Sequence, residues 1–250
     1  VVAYPLEVAL PYDKSIKSIT NTVTREALLT QLKAQSKLDS HYIMLVFLST
    51  IVAAIGLIEN NVAVIIGAMV IAPLLGPNLA LSLSTTLGQV NGILGGLKTL
   101  AVGIALALGI SYLLGIFYPG IELTPELLTR TSVGLDGLAL ALASGAAAAL
   151  SITTGVSSVL VGVMVAVALL PPTVTLGICL GLELYKEALG AALLLIANIA
   201  SVNLTAQLTM RLKGIKPREA DKQHTALIVF AIGLLFWCAL ISYLIYQLYK

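Results

Sequence analysis

Charged residues are scarce in this chain. Asp, Glu, Lys and Arg make up 10% of its 250 residues, against about 25% in soluble domains. A water-bathed surface of ordinary composition is therefore excluded. The net charge of +2 is unevenly spread, gathering before His41, between Arg211 and Lys222, and sparsely around Glu122 to Asp136. That pattern reads as orientation in a membrane and excludes a nucleic-acid partner. Cysteine is nearly absent. Cys179 and Cys238 both fall in apolar segments, so no disulfide or metal framework is implied. His41 and His224 are interfacial and far apart in sequence. There is no metalloprotease His-Glu pair, no phosphate-binding loop and no Ser–His–Asp set, so neither an enzyme nor a cofactor is expected. Residues 1–40 lack the basic-then-apolar opening of a cleavable signal peptide.

Apolar residues are what remains. They form 58% of the chain, with a mean hydropathy of +1.01. Several runs are about twenty residues long, enough to cross a bilayer as helices. The expected fold is an all-α polytopic membrane protein with seven apolar spans. It would comprise two three-span repeats, each with a broken second helix, and a C-terminal helix. Residues 1–40 form a cytosolic segment, 41–117 the first repeat, 118–134 a loop, 135–210 the second repeat, 211–224 a basic cytosolic loop and 225–250 the last span. Within residues 1–40, Val1 to Pro11 is β-prone. Lys14 to Ser40 reads as an amphipathic helix at the membrane surface or a solvated connecting helix, with Thr24 as its cap and Leu28, Leu29 and Leu32 as its apolar stripe.

The repeat appears when the chain is slid onto itself by about 95 residues. Ser49 then meets Ser144, Gly67 meets Gly162, Met69-Val70 meets Met164-Val165, and Leu74-Leu75-Pro77 meets Leu169-Leu170-Pro172. With basic segments at both ends placed in the cytoplasm, three spans per repeat make the second repeat enter from the opposite side. A second count fits the same charges: each broken run could be a re-entrant hairpin. A straight helix of about 26 residues would be about 39 Å long against a hydrocarbon core of about 30 Å. That excess allows either a kinked crossing or a hairpin. The Tyr118 to Gly134 loop lies outside in the first count and inside in the second.

The breaks carry the chemistry. Pro73 and Pro77 lack N–H groups, which frees carbonyls near Met69 and Pro73. Gly76 loosens the same stretch, and Asn78 could cap the helix that follows. A capped amino terminus would suit an anion, and free carbonyls would suit a cation. Pro171, Pro172 and Thr173 offer the same arrangement in the second half. Asn198 and Asn203, in the sixth span, are costly to place in lipid and are expected to face protein or a cavity. The candidate substrate-binding set is therefore Pro73, Gly76, Pro77, Asn78, Pro171, Pro172, Thr173, Asn198 and Asn203, with the two breaks lining a common polar cavity. Ordinary proline kinks and interhelical hydrogen bonding are the bland alternatives. Small-xxx-small spacings at Gly92–Gly96 and Gly177–Gly181 allow close helix contact, within the bundle or between subunits. A homo-oligomer is the expected assembly.

The runs Leu48-Ser49-Thr50, Ala53-Ala54-Ile55-Gly56-Leu57, Val64-Ile65-Ile66-Gly67-Ala68-Met69 and Ala72-Pro73-Leu74-Leu75-Gly76-Pro77 resemble the family known as domain of unknown function 389. So do Leu123-Thr124-Pro125-Glu126, Arg130-Thr131 and the run from Ala166 to Pro172. The resemblance covers roughly Ser40 to Met210. It implies an integral membrane protein of prokaryotic or plant type, often preceded by a small cytosolic domain of which Val1 to Pro11 would be the end. It implies no activity. Two functions are expected from the residues. The first is a transporter or channel for a small solute or ion, in the cell membrane as a multi-pass protein with its amino terminus in the cytoplasm. The second is a non-transporting scaffold or sensor coupled to a cytosolic domain.

Overall fold

The computed structural model describes residues 25–118, 120–154, 158–217 and 220–248, except the side chains of 25–26, 158–168, 220–226 and 244–248. The expected strand at Val1 to Pro11 and the Thr24 cap lie outside the described residues. Every regular element among the described residues is helical: α1 (Arg25–Gln35), α2 (Ser40–Ile58), α3 (Val62–Ile71), α4 (Leu75–Thr86), α5 (Val90–Phe117), α6 (Pro125–Thr129), α7 (Leu135–Thr154), α8 (Ser158–Gly181), α9 (Tyr185–Leu212) and α10 (Ala220–Leu248). Four of them, α2, α5, α7 and α9, are long and apolar enough to cross a membrane, and α3 with α4 makes a fifth if the bent pair is one span.

The packing suits helices that are long and apolar enough to cross a membrane. Large apolar side chains such as Met44, Phe47, Leu94, Leu97 and Leu140 face outward. The interior is rich in Ala, Ser and Thr, including Ala53, Ala148, Ala200, Ser49, Thr50 and Ser201. Small residues let backbones approach closely where lipid removes the hydrophobic drive between helices. At the α5–α8 contact, a Cβ added to Gly181 would meet the Tyr112 carbonyl oxygen at 2.5 Å and Gly115 Cα at 2.8 Å. The hydroxyls are largely absorbed by their own helices, as Thr50 Oγ1 donating to the Val46 carbonyl at 2.6 Å illustrates.

Where the first proline run stood in the sequence, α3 and α4 meet at 55°. Ala72 is extended (φ −65°, ψ 120°) because the ring of Pro73 disfavours a helical residue before it. The helix resumes at Leu75 without a side-chain cap. Pro77 then falls in the first turn of α4, where a missing N–H removes no intrahelical bond. Asn78 sits inside α4 and does not cap it. The second proline run behaves differently. The break expected there is absent, and α8 is one continuous helix with Pro171 and Pro172 inside it. Leu169, Leu170, Thr173, Val174 and Thr175 are all fully buried, and α8 packs against α2, α3, α5, α7 and α9. Enclosure on every side outweighs the local cost of the prolines, about 3 kcal/mol for each in a free helix. At the first run, Val70 and Ile71 are exposed and nothing holds the chain straight.

The bundle has two ends of different character. At one, Thr124 Oγ1 donates to the Leu57 carbonyl at 2.6 Å and the Glu126 amide donates to Asn60 Oδ1 at 3.1 Å. At this end α6, capped by Thr124, lies beside the α2–α3 turn, and Thr131 touches Gly190 at the start of α9. Glu59, Glu122, Glu126, Asp136, Glu183 and Glu187 gather here. At the other end, α1, the α4–α5 turn and Pro217 surround one cavity, with Lys33, Lys37, Arg211 and Lys213 nearby. The bent pair therefore runs from the acidic end at Val62 to the basic end at Thr86. The apolar stripe of α1 is not laid on lipid: Leu28 and Leu32 are buried in the main core, against α4.

Candidate functional site

Six of the nine expected residues fall into three places, and Pro77, Pro171 and Thr173 into none of them. The first is a buried polar link between α4 and α9. All 12 residues of α4 are buried, although it carries Asn78, Ser82, Ser84, Thr85 and Thr86. Facing it on α9 are Asn203 and Gln207, both fully buried. Ser82 Oγ donates to Asn203 Oδ1 at 2.7 Å and also lies 3.2 Å from the Asn78 carbonyl. Asn203 Nδ2 donates to Asn78 Oδ1 and, at 2.9 Å, to the Ile199 carbonyl. Asn78 and Asn203 thus meet directly, as their cost in lipid demands. The link is incomplete. Asn78 Nδ2 and both amide atoms of Gln207 are buried without a partner among the described residues. Most buried polar atoms are satisfied, so a cluster of exceptions calls for an occupant or a function. From the sequence, Ser82 is already a candidate polar partner after the first break, and it does meet Asn203; Gln207 was not among the candidates. A helical spacing of four, from Asn203 to Gln207, was the available signal.

The second place is a cavity of about 330 Å³ at the α3–α4 bend. Pro73, Gly76 and Ala72 meet Lys37, Asp39, His41 and Tyr42 there. Tyr42 is anchored through its hydroxyl to the Thr99 carbonyl at 3.0 Å. Gly76 is required by contact, since a Cβ there would lie 2.5 Å from the Gln35 carbonyl oxygen. The third place is a cavity of about 560 Å³, where Pro172 and Asn198 meet Arg130, Asp136 and Ser144. Arg130 is held by Glu126 at 3.3 Å. The two proline runs therefore open on different cavities, where a common one was expected. Pro77 turns its carbonyl toward Gly96 of α5. Pro171 is buried, and Thr173 Oγ1 donates to the Leu169 carbonyl at 2.7 Å.

Helix ends and cavity linings recur along the chain. Val90 and Phe117 bound α5, and Tyr185 and Leu212, about 95 residues on, bound α9. Ser40 and Leu135 open α2 and α7 at the same interval, and Thr86 and Gly181 close α4 and α8. Beyond those two ends, Gly88 (φ 66°) and Glu183 (φ 62°) hold the same left-handed position. The Gln89 amide donates to the Ser84 carbonyl and the Leu184 amide to the Cys179 carbonyl, both at 2.8 Å. The cavities follow the same interval: Gln35, His41, Tyr42 and Leu45 in one correspond to Arg130, Asp136, Gly137 and Leu140 in the other.

A family profile described as "Domain of unknown function (DUF389)" matches residues 69–204, from α3 into α9. The chain belongs to this family. An uncharacterized protein of Methanocaldococcus jannaschii is 33% identical over 216 residues, covering 86% of this chain and 68% of that protein. No solved structure matches. The matched DUF389 region contains both proline runs, Asn78, Ser82 and Asn203 of the polar link, and the whole lining of the cavity at Pro172.

Proposed function

We propose that this DUF389 protein is a membrane transporter or channel for a small solute or ion. It is built from two three-span repeats of opposite topology, with α10 as a seventh span. The observation that carries the reading is the incomplete polar link: uncharged amides and hydroxyls of α4 and α9, deep in an apolar bundle, with unpartnered donors and acceptors. Such groups cost several kcal/mol in hydrocarbon, which selection tolerates where something passes or binds. The recurring helix ends support the repeat. The cavities at the bend and at Pro172 support an entry from each side. The concentration of Lys and Arg at the end carrying α1 and Pro217 supports a cytoplasmic position for it. The α6 end then faces out. Inverted repeats with irregular helices near the site are the plan of many secondary transporters.

The experiment uses single cysteines in place of His41 and Asp136, equivalent positions in the two cavities, after Cys238 is changed to serine. Buried Cys179 stays. A membrane-impermeant maleimide should label Asp136→Cys on intact cells and His41→Cys only in inverted vesicles. Labelling of both from the same face would overturn the inverted arrangement and with it the two-entry reading.

A further inference from the structure

A cavity of about 890 Å³ at the basic end of the bundle belongs to none of the three places above. It lies where α1 rests on α4 and α5. Its lining has two halves. Leu29, Leu32, Leu83 and Leu87 make an apolar floor, while Lys33 and Lys98 bring two positive charges. Among the described residues no acidic side chain lines it, and neither lysine has a carboxylate partner. Ser84 also lines it. This side chain is 6% exposed and its hydroxyl has no hydrogen-bond partner among the described residues. It abuts Gly92, where any side chain would collide with it. The amino-terminal turn of α5 borders the same space through Val90, Asn91 and Gly92, and no side chain caps it. Its free N–H groups favour an anion. On the adjoining face of α5, Leu94 and Leu97 are exposed, so the cavity borders the surface that lipid would cover.

We propose that this cavity binds the anionic headgroup of a membrane phospholipid. Lys33 and Lys98 would flank the phosphate, Ser84 and the α5 amide groups would donate to it, and the leucine floor would take the first carbons of the acyl chains. Charge recognition of this kind is worth about 1 kcal/mol per lysine near a membrane surface. A free phosphate would gain nothing from the leucines, and a zwitterionic lipid would gain less from two unpaired lysines. The site does not depend on the transport reading.

The test uses the full chain, purified in detergent and offered phosphatidylglycerol or phosphatidylcholine, with bound lipid counted by native mass spectrometry. Phosphatidylglycerol should be retained in preference. The double variant Lys33→Gln, Lys98→Gln should weaken its binding about thirtyfold and leave phosphatidylcholine unchanged. Lys213→Gln, at an exposed lysine on the same end, should have no such effect. Equal retention of the two lipids would overturn the proposal, as would equal loss in the Lys213 variant. Full displacement of phosphatidylglycerol by inorganic phosphate at matching concentration would assign the site to a free anion and overturn it too.

Discussion

Replacing Asn203 with alanine is the sharpest perturbation of the α4–α9 link. Its side chain accepts from Ser82 at 2.7 Å and donates to Asn78. Truncation removes both cross-helix bonds. Ser82 keeps the Asn78 carbonyl at 3.2 Å, but the Asn78 amide is left with no partner at either end, because its Nδ2 already lacks one. Hydrogen bonds between membrane helices average about 0.6 kcal/mol and reach about 1.7. A stranded buried amide adds about 1–3 kcal/mol. The expected loss for Asn203→Ala is therefore about 2–4 kcal/mol. Asn78→Ala in the same background removes the stranded group, so the double variant should lose less than the sum of the singles by about 1–3 kcal/mol. Unfolding in mixed micelles with increasing sodium dodecyl sulfate measures all three. Additivity within about 0.5 kcal/mol would show that the two amides do not depend on each other and would refute the reasoning. A further pair of variants separates structure from function. Asn78→Leu with Asn203→Leu replaces both partners by apolar groups of similar shape, which is close to neutral for stability. If the link serves transport, this variant stays folded and loses solute flux.

Other outcomes follow from the packing. At Gly177, a Cβ would meet the Leu108 carbonyl oxygen and Ser111 Cβ, each at 2.8 Å. Gly177→Leu should therefore cost about 1–3 kcal/mol or more. Gly95→Ala, with nothing within 4 Å of the new Cβ, should leave the thermal midpoint unchanged; equal midpoints in both variants would contradict the close α5–α8 approach. Pro172→Ala should stabilise the protein by about 1–3 kcal/mol, because it restores an N–H inside a continuous helix. Pro73→Ala should give no comparable gain, since Ala72 is already extended at the bend. A reversed order of the two in denaturant unfolding would mean that the break belongs to α8.

Much of the architecture was legible because lipid makes periodicity almost irrelevant and run length decisive. The apolar runs ending at Ile58 and Phe117 end as helices at those residues. The Asn198 and Asn203 reading followed from their cost in hydrocarbon, and Asn203 does meet protein. What was not legible was context. Pro77 and Asn78 looked like the start of a helix, but the true start, Leu75, is set by Pro73 behind it. The short α6 escaped notice inside a polar stretch, although Thr124 ahead of Pro125-Glu126 carries a helix-start signature. The stripe of α1 has its apolar spacing regardless of whether bilayer or bundle covers it. Only the packing of Leu28 and Leu32 into the core decides.

The contrast between the two proline runs is the point at which local chemistry and packing separate. Pro73 and Pro172 remove the same kind of donor, yet one run bends by 55° and the other continues as helix. The difference lies in what surrounds them. α8 is enclosed by helices of both halves, so an uninterrupted helix keeps its contacts on every side. The α3–α4 bend has exposed Val70 and Ile71 on its outer face, and bending there moves few contacts while it brings α4 wholly inside. That placement turns Asn78 and Ser82 toward α9, where their amide and hydroxyl meet Asn203. The bend is thus what puts a polar helix at the centre of an apolar bundle. A straight α3–α4 rod would carry Asn78 along its own axis and away from Asn203. The polar link and the break are one structural feature.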